Sequence, residues 1–194
     1  MKNSKLMTVL LAVTITAGAV NAQSKMSGDS KDNTVMVGSE AMYPMKNIIE
    51  NAVNSKDHTT LVAAVKAAGL VETLQGKGPF TVFAPVNNAF EDLPAGTVES
   101  LLKPESKAAL TGVLTYHVLA GRYTYDDVAA AIKKGNGKVS MKTVQGQDLW
   151  FMMNGPHNIV VKDATGSVAN FTTYDVIQSN GVIHVLDKVV MPKM

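Results

Sequence analysis

The feature that most constrains the fold is a change of hydrophobic period partway along the chain. Up to about residue 135, apolar residues recur at helical spacing, as in the run that contains Leu110, Val113 and Leu114. Beyond that point, short apolar runs alternate with turn sequences such as Thr165-Gly166 and Asn180-Gly181. Helices followed by a meander of strands predict an α+β fold.

One predicted strand, Phe80–Ala84, interrupts the helical part of the chain. The strands predicted in the second part are 139–144, 149–153, 159–161, 168–172 and 182–190. The first and the last of these six strands are apolar on both sides. Such runs are typical of strands that are buried on both faces.

The first 22 residues are typical of a secretory signal. Lys2 and Lys5 precede an uncharged apolar run from Leu6 to Val20, and the cut is expected after Ala22. The alternative is a membrane anchor, but this run is shorter than the roughly 20 residues that a spanning helix needs. The sequence therefore predicts an exported protein, periplasmic or secreted, with no membrane span after removal of the signal. Residues 23–42 are predicted to be a flexible polar tether, and 43–194 a single domain.

Composition excludes several classes of function. The chain has no cysteine, which excludes disulfides, thiol catalysis and thiolate metal sites. Its formal net charge of +2 falls to near zero when Lys2 and Lys5 leave with the signal. A basic field for nucleic acid is therefore not expected. With 46% hydrophobic residues, the chain has enough apolar material for a core without disulfides.

Three segments carry a resemblance to a known family: 78–90 (GPFTVFAPVNNAF), 114–121 (LTYHVLAG) and 180–192 (NGVIHVLDKVVMP). In this order they resemble the signature segments of fasciclin domains, and the similarity runs from about Asn47 to Pro192. The resemblance implies a wedge-shaped β-sandwich with helices packed around it. It also implies that Phe80–Ala84 and 182–190 lie at the centre of the sandwich.

The resemblance assigns a structural role to a set of signature positions. They are Phe80, Thr81, Phe83, Pro85, Asn87, Phe90, Asn180, Gly181, His184 and Asp187. The chain departs from the family at Val86, where the family usually has threonine. Because a hydroxyl is lost there, Asn87 is expected to carry more of the capping of the helix that follows.

Tyr116 and His117 have two interpretations. His117 lies on an apolar helical period, which favours a buried ring with a hydrogen-bonding role. The resemblance implies a binding role instead, because the Tyr-His region of some animal fasciclin proteins is linked to integrin-type adhesion. His184 and Asp187 are three residues apart on a predicted strand and would point to opposite faces. They are therefore not expected to form an acid–base pair.

The segment around Trp150 is a second candidate for binding. If Leu149, Phe151 and Met153 face the core, then Trp150 and Met152 face outward. An exposed patch of this kind would bind a partner or an apolar ligand. The alternative is that a helix or a loop covers both side chains.

The sequence contains no nucleophile elbow, phosphate-binding loop or metal-ligand spacing, so no enzyme activity, metal or cofactor is expected. The resemblance implies a binding module that adheres to a cell-surface or matrix partner, either protein or polysaccharide. The alternative is a carrier of an apolar small molecule such as a carotenoid, which some family members bind.

Overall fold

The computed structural model describes residues 34–193. The predicted signal, 1–22, and the first part of the predicted tether, 23–33, lie outside these residues. The helices are α1 (Ile48–Ala52), α2 (Thr59–Ala68), α3 (Val71–Gln75), α4 (Asn87–Glu91), α5 (Thr97–Leu101), α6 (Lys107–Tyr116) and α7 (Tyr125–Lys134). Short 3-10 turns, Lys56–His58 and Pro104–Ser106, precede α2 and α6. Within residues 34–193, no helix combines the length and apolar character needed to cross a bilayer.

The strands lie mainly in the second part of the chain, as predicted. They are β1 (Val35–Val37), β2 (Glu40–Met42), β3 (Phe80–Pro85), β4 (Val118–Ala120), β5 (Lys138–Lys142), β6 (Asp148–Asn154), β7 (Asn158–Lys162), β8 (Val168–Gln178) and β9 (Gly181–Leu186). Strands β1 and β2 form a separate hairpin, and the other seven form one sheet in the order β4-β3-β9-β8-β7-β6-β5.

Strands β3 and β9 lie side by side in the interior of this sheet, second and third from its β4 edge. They pair in parallel, with Phe83 opposite His184, whereas the other pairs of neighbours are antiparallel. All of β9 is buried, and β3 is buried apart from Phe80, which is half-buried. The prediction that these two apolar runs are adjacent interior strands is confirmed.

The sheet bends until its two edges nearly meet. The register of β8 against β9 shifts between Phe171 and Thr173 and again between Thr173 and Val176, which bends the long β8 strand. At the far side, Val144 follows β5 and donates its N–H to the carbonyl of Val118 in β4 at 2.8 Å. The result is a nearly closed, wedge-like sandwich with helices packed around it, and the predicted fold class is confirmed.

Two large apolar clusters lie on opposite faces of β3 and β9. The first fills the inside of the bent sheet and includes Phe83, Phe151 and Phe171, whose ring centroids are 5.3 to 6.3 Å apart. The second packs α1, α2 and α6 against the other face, through residues such as Val82 and Ile183. Adjacent residues of each strand therefore enter different cores, which explains why these runs show no polar alternation.

The tether predicted for residues 23–42 extends too far along the chain. Residues 35–42 form the β1–β2 hairpin, in which Val35 pairs with Met42. Val37 and Met42 are buried and belong to the cluster beneath the helices. The segment is too short for a hydrophobic period to appear, so only the tertiary packing identifies it as part of the domain.

The predicted bounds of four strands are within two residues of the observed ones, and those of two strands differ more. Strand β8 continues past Thr172 to Gln178, and β9 ends at Leu186 rather than at residue 190. The continuation of β8 contains Asp175 with a φ of 50°, and its bulges interrupt the alternation of apolar and polar residues. Strand β4 was not predicted as a separate element, because three residues are too few to show a period.

Candidate functional site

Tyr116 ends helix α6 inside the sheet and joins three parts of the chain. Its hydroxyl donates to the carbonyl of Asp148 at 2.8 Å and accepts the N–H of Ala164 at 3.0 Å. Burial, the largest cause, raises the pKa of Tyr116 to about 12. The phenol therefore stays protonated at physiological pH and holds the start of β6 close to the loop after β7.

His117 follows Tyr116 and has both ring nitrogens in hydrogen bonds. Nδ1 lies 2.8 Å from the carbonyl of Val113, and Nε2 accepts the N–H of Val190 at 3.2 Å. Since Nε2 is an acceptor, the ring is neutral and carries its proton on Nδ1. Burial lowers the pKa of His117 to about 4, although the Val113 carbonyl and Asp163 oppose this shift.

Neither Tyr116 nor His117 reaches the surface. Their exposed fractions are 0% and 3%, respectively. The geometry agrees with the interpretation of His117 as a buried ring that orders the chain around it. The adhesion role of this pair stays a prediction, and it would have to act through the position of neighbouring segments rather than through direct contact.

His184 and Asp187 have separate partners. His184 Nε2 donates to the carbonyl of Tyr123 at 2.8 Å, and the ring stacks on Phe171 with centroids 5.0 Å apart. Asp187 accepts from the backbone and side-chain nitrogens of Asn170, both at 2.7 Å. Burial also lowers the pKa of His184. These contacts connect β9 to its surroundings and do not form an acid–base pair.

Asn87 does not cap the helix that it was expected to cap. The N-cap of α4 is Val86, which has no side-chain cap, and Asn87 is the first residue of the helix. Its Oδ1 instead accepts the N–H of Thr60 at 3.0 Å, and its Nδ2 donates to the carbonyl of Lys56 at 2.8 Å. Asn87 therefore caps α2, a helix that begins earlier in the chain.

Helix α2 has no side-chain cap at its own N-cap position, which is His58. By contrast, helix α7 begins with a capping box, in which Thr124 and Asp127 each accept from the backbone of the other.

Asn180 connects two helices to the turn between β8 and β9. Its Oδ1 accepts the N–H of Ile48 at the start of α1, at 3.0 Å. Its Nδ2 donates to the carbonyls of Leu74 and Gly76 at the end of α3, at 2.8 and 2.9 Å. The adjacent Gly181 is needed for space, because a Cβ there would lie 2.2 Å from the carbonyl oxygen of Phe80.

Four other signature residues have packing or connecting roles. Thr81 is fully buried, and its hydroxyl donates to the carbonyl of Gly121 at 2.8 Å and accepts the N–H of Tyr123 at 2.9 Å. Phe83 lies in the aromatic cluster inside the sheet, Pro85 ends β3, and Phe90 packs against two clusters. The signature residues therefore hold the strands and helices of the domain together, from buried or half-buried positions.

Trp150 and Met152 lie on the outer face of β6. Leu149 and Phe151 are fully buried inside the sheet, and Met153 packs against the same cluster. The two outward side chains are half-buried, so they are neither fully covered nor fully exposed. Sequence analysis did not identify the lysines that surround them, Lys138, Lys142 and Lys162. Only Lys142 lies within a predicted strand, 139–144, so local spacing did not reveal the cluster.

An apolar cleft opens between the helices and the β3–β4 end of the sheet. Its walls come from α1, α2 and α3 on one side and from Phe80, Val82 and Val118 on the other. Val53 and Val144, 47% and 50% exposed, also line this cleft. No residue of β6 or β7 contributes to it, so it is separate from the face that carries Trp150.

The described residues, 34–193, contain no group of three or more histidine or acidic side chains placed to hold a metal ion. One buried ring nitrogen there is without a partner: Nε2 of His58, whose Nδ1 lies 2.8 Å from the hydroxyl of Ser55. Burial lowers the pKa of His58. A neutral ring is therefore expected at this position.

Comparison with known proteins gives a consistent result. The family model described as Fasciclin domain matches residues 56–192. Protein sll1483 of Synechocystis sp. is 44% identical over 168 residues, which cover 86% of this chain and 84% of that protein. The cell surface glycolipoprotein MPT83 of Mycobacterium tuberculosis is 33% identical over 160 residues, covering 80% of this chain and 64% of the relative.

A solved structure agrees with the fold. A FAS1 domain pair from the insect cell adhesion molecule fasciclin I superposes with a TM-score of 0.65 at 19% identity. The superposition covers 76% of this chain and 51% of that chain, which holds two domains. At this identity the likeness concerns the fold alone.

Proposed function

Because this chain belongs to the fasciclin domain family, we propose that it is an exported, non-enzymatic binding module whose task is adhesion. Its partner would be a protein or polysaccharide of a cell surface or an extracellular matrix. Two similar proteins support this proposal by their names, since one is a cell surface glycolipoprotein and the other a cell adhesion molecule.

The observation that carries the proposal is that polar groups of the signature segments, on Tyr116, His117 and His184, are already hydrogen-bonded inside the domain. The ring nitrogens of His117 and His184 and the hydroxyl of Tyr116 all bond to backbone groups. Groups that are occupied in this way hold the fold together and are not available to a substrate. Contact with a partner then depends on the outer surfaces.

A deletion strain tests the adhesive function. Loss of the protein should reduce surface attachment, aggregation and biofilm formation, and expression of the wild-type chain should restore them. A deletion strain that matches its parent in all three assays would contradict the proposal. A hydrolase panel on the purified protein tests the non-enzymatic part, and any turnover that depends on His117 or His184 would overturn it.

A second candidate function, a carrier of an apolar small molecule, is favoured by the cleft beside α1 and α2. Most of its lining residues are aliphatic or aromatic, and two exposed valines lie among them. Exposed apolar side chains next to an apolar cleft are typical of a ligand site. The expected ligand is a flat or extended hydrocarbon such as a polyene.

This candidate is tested by absorbance and by thermal stability. Protein from its native source should carry an absorbing ligand, and added polyene should raise the Tm of emptied protein. The substitution Val144→Asp places a charge beside the cleft and should abolish the Tm shift. Val168→Asp is the matched control, since Val168 is also exposed but lies outside the cleft. Colourless native protein with no Tm shift would exclude the carrier function.

A further inference from the structure

The outer face of β5, β6 and β7 carries a ring of positive charge around the only tryptophan of the chain. Trp150 is opposite Ser140 on one side and Lys162 on the other. Met152 and Asp148 are the neighbours of Trp150 on the same face of β6. Lys138 is opposite Met152, and Lys142 is opposite Asp148. We call the surface formed by Trp150, Met152, Lys138, Lys142 and Lys162 the Trp150 face.

The pairing register places the three lysines at the corners of a triangle. Strands are about 4.8 Å apart and alternate residues about 6.8 Å apart, so the lysine Cα atoms are separated by about 12 to 14 Å. Trp150 lies within this triangle. The three lysine side chains are exposed, whereas Trp150 and Met152 are half-buried between them.

The lysines of the Trp150 face have no acidic partner in the part of the chain that the structure describes. Its only ion pair, with N and O within 4.0 Å, joins Lys56 to Glu40. Among the residues of β5, β6 and β7, Asp148 is the acidic residue on the same face, and it lies opposite Lys142 without closing an ion pair. With three positive charges and one negative charge, the face retains an excess of positive charge.

The Trp150 ring is also without a partner among residues 34–193. No other aromatic ring stacks on it, and the one cation over an aromatic ring is Lys46 over Tyr43. Its Nε1–H makes no hydrogen bond to a protein acceptor in this part of the chain. A half-exposed indole surrounded by cations provides an apolar plane for a ring and charges for anions.

We propose that the Trp150 face binds an acidic polysaccharide. A sugar ring lies against the indole, and carboxylate or sulfate groups of neighbouring sugars contact Lys138, Lys142 and Lys162. The excess positive charge is complementary to such a polymer, and flexible lysines adapt to anions at varied positions. This inference rests on the adhesive function proposed above and specifies its partner and its surface.

An acidic peptide fits this face less well. Peptides bind to sheets by adding a strand to an open edge or by placing side chains in pockets and grooves. The Trp150 face is instead the flat side of the sheet, and its five residues are absent from the lining of the apolar cleft beside α1 and α2 and of three further cavities in residues 34–193. A flat surface with one exposed indole ring and separated positive charges therefore favours a polysaccharide, whose sugar rings and anionic groups are spaced along a chain.

The single tryptophan makes the test direct, because tryptophan fluorescence, excited selectively over that of the tyrosines, reports only on this face. Polygalacturonate should change the Trp150 emission of the purified protein in a saturable manner, and neutral dextran should not. Raising the salt concentration should weaken binding by about tenfold, since the contacts are exposed charge pairs. Equal binding of dextran, or no change in emission with polygalacturonate, would overturn the proposal.

Two sets of substitutions locate the site. K138Q/K142Q/K162Q should weaken binding to immobilised polygalacturonate by at least tenfold, and so should Trp150→Ala. The matched control K77Q/K103Q/K107Q removes the same charge from exposed lysines elsewhere and should bind like wild type. If both triple variants lose binding equally, the interaction is a general charge effect and the site is wrong. If polyglutamate binds as tightly as polygalacturonate, the assignment to a polysaccharide is wrong.

The same variants separate this inference from the adhesive function. If wild-type chain and K138Q/K142Q/K162Q both restore attachment to a deletion strain, adhesion stands and the Trp150 face is not its site. If K138Q/K142Q/K162Q loses polygalacturonate binding and K77Q/K103Q/K107Q keeps it, but the deletion strain attaches normally, then the binding site is correct and the adhesive function is wrong. If wild-type chain restores attachment and K138Q/K142Q/K162Q does not, while both are secreted normally, the result supports both the adhesive function and the Trp150 face as its site.

Discussion

At the residue scale, Asn87 and Asn180 show how a single amide can organise distant parts of a chain. Asn87 satisfies the N–H of Thr60, 27 positions away, and Asn180 satisfies that of Ile48, 132 positions away. The first turn of a helix has N–H groups without an internal partner, and these two amides provide acceptors for them. The fasciclin signature at these positions is therefore a set of long-range helix caps.

Asn87→Ala should lower the free energy of unfolding by about 1 to 2 kcal/mol, because it leaves the start of α2 without its acceptor. Chemical denaturation measures the change. Asn88→Ala is the matched control, since Asn88 is the next residue of α4 and is exposed. A loss in Asn88→Ala as large as that in Asn87→Ala would show that the remote cap is not the cause.

His117 should make the domain sensitive to acid. Its pKa is about 4 in the folded protein and near the ordinary 6.5 in the unfolded chain. The unfolded state therefore binds the proton more readily, so the stability from neutral His117 is complete above about pH 6.5. This stability is lost as the pH falls towards 4, by about 3 kcal/mol in total.

The pH dependence of unfolding in denaturant checks this prediction. His117→Gln should be less stable than wild type at pH 7 but should show a shallower decline between pH 6.5 and 4. His157→Gln, at an exposed position, should retain the full decline. His58 and His184 have pKa values lowered by burial and act in the same direction. An unchanged slope in His117→Gln would contradict the assignment.

At the scale of elements, the parallel pairing of β3 and β9 depends on how closely two backbones approach each other. Six residue pairs join these strands, from Phe80 with Gly181 to Pro85 with Leu186. The approach is closest at the first pair, where Gly181 has no side chain. Each strand contributes to the core inside the sheet and to the core beneath the helices, so this pairing holds both cores together.

Gly181→Ala should destabilise the domain by about 3 kcal/mol or more, because its Cβ would meet the backbone oxygen of Phe80 and force the strands apart. Gly112→Ala is the comparison, since a Cβ in this part of α6 meets nothing within 4 Å. It should stabilise the protein by about 0.5 to 1 kcal/mol through helix propensity. Thermal unfolding should show a lower Tm for Gly181→Ala and a higher Tm for Gly112→Ala than for wild type. A Gly181→Ala protein as stable as wild type would contradict the packing argument.

At the scale of the whole molecule, the domain begins earlier than the family match. The match starts at residue 56, but the β1–β2 hairpin closes part of the core beneath the helices. Met42 is 3% exposed, and Val37 is 6% exposed. Residues 35–42 are therefore part of the folding unit.

Met42→Ala should cost about 2 to 4 kcal/mol, as expected for a large side chain removed from a core. Met45→Ala should leave the stability unchanged, because Met45 is 87% exposed three residues further on. Denaturant midpoints of the two variants provide the measurement. Equal stability of both would mean that the hairpin does not belong to the core.

The sequence by itself determined the α+β fold class, the order of most strands along the chain and the burial of Phe80–Ala84 on both faces. These properties depend on hydrophobic period and on turn chemistry, which act over a few neighbouring residues. It also determined that Leu149 and Phe151 share one face of their strand, because alternation in a strand is a local property, and the structure shows that this face is buried.

Only the tertiary structure decided which helix Asn87 caps, that residues 35–42 belong to the domain, and which lysines surround Trp150. Each of these depends on pairs of residues that are far apart in the chain. Strand register, not sequence distance, brings Lys138 and Lys162 to opposite sides of one tryptophan. No local pattern specifies such a register, because it follows from how the whole sheet bends around its two cores.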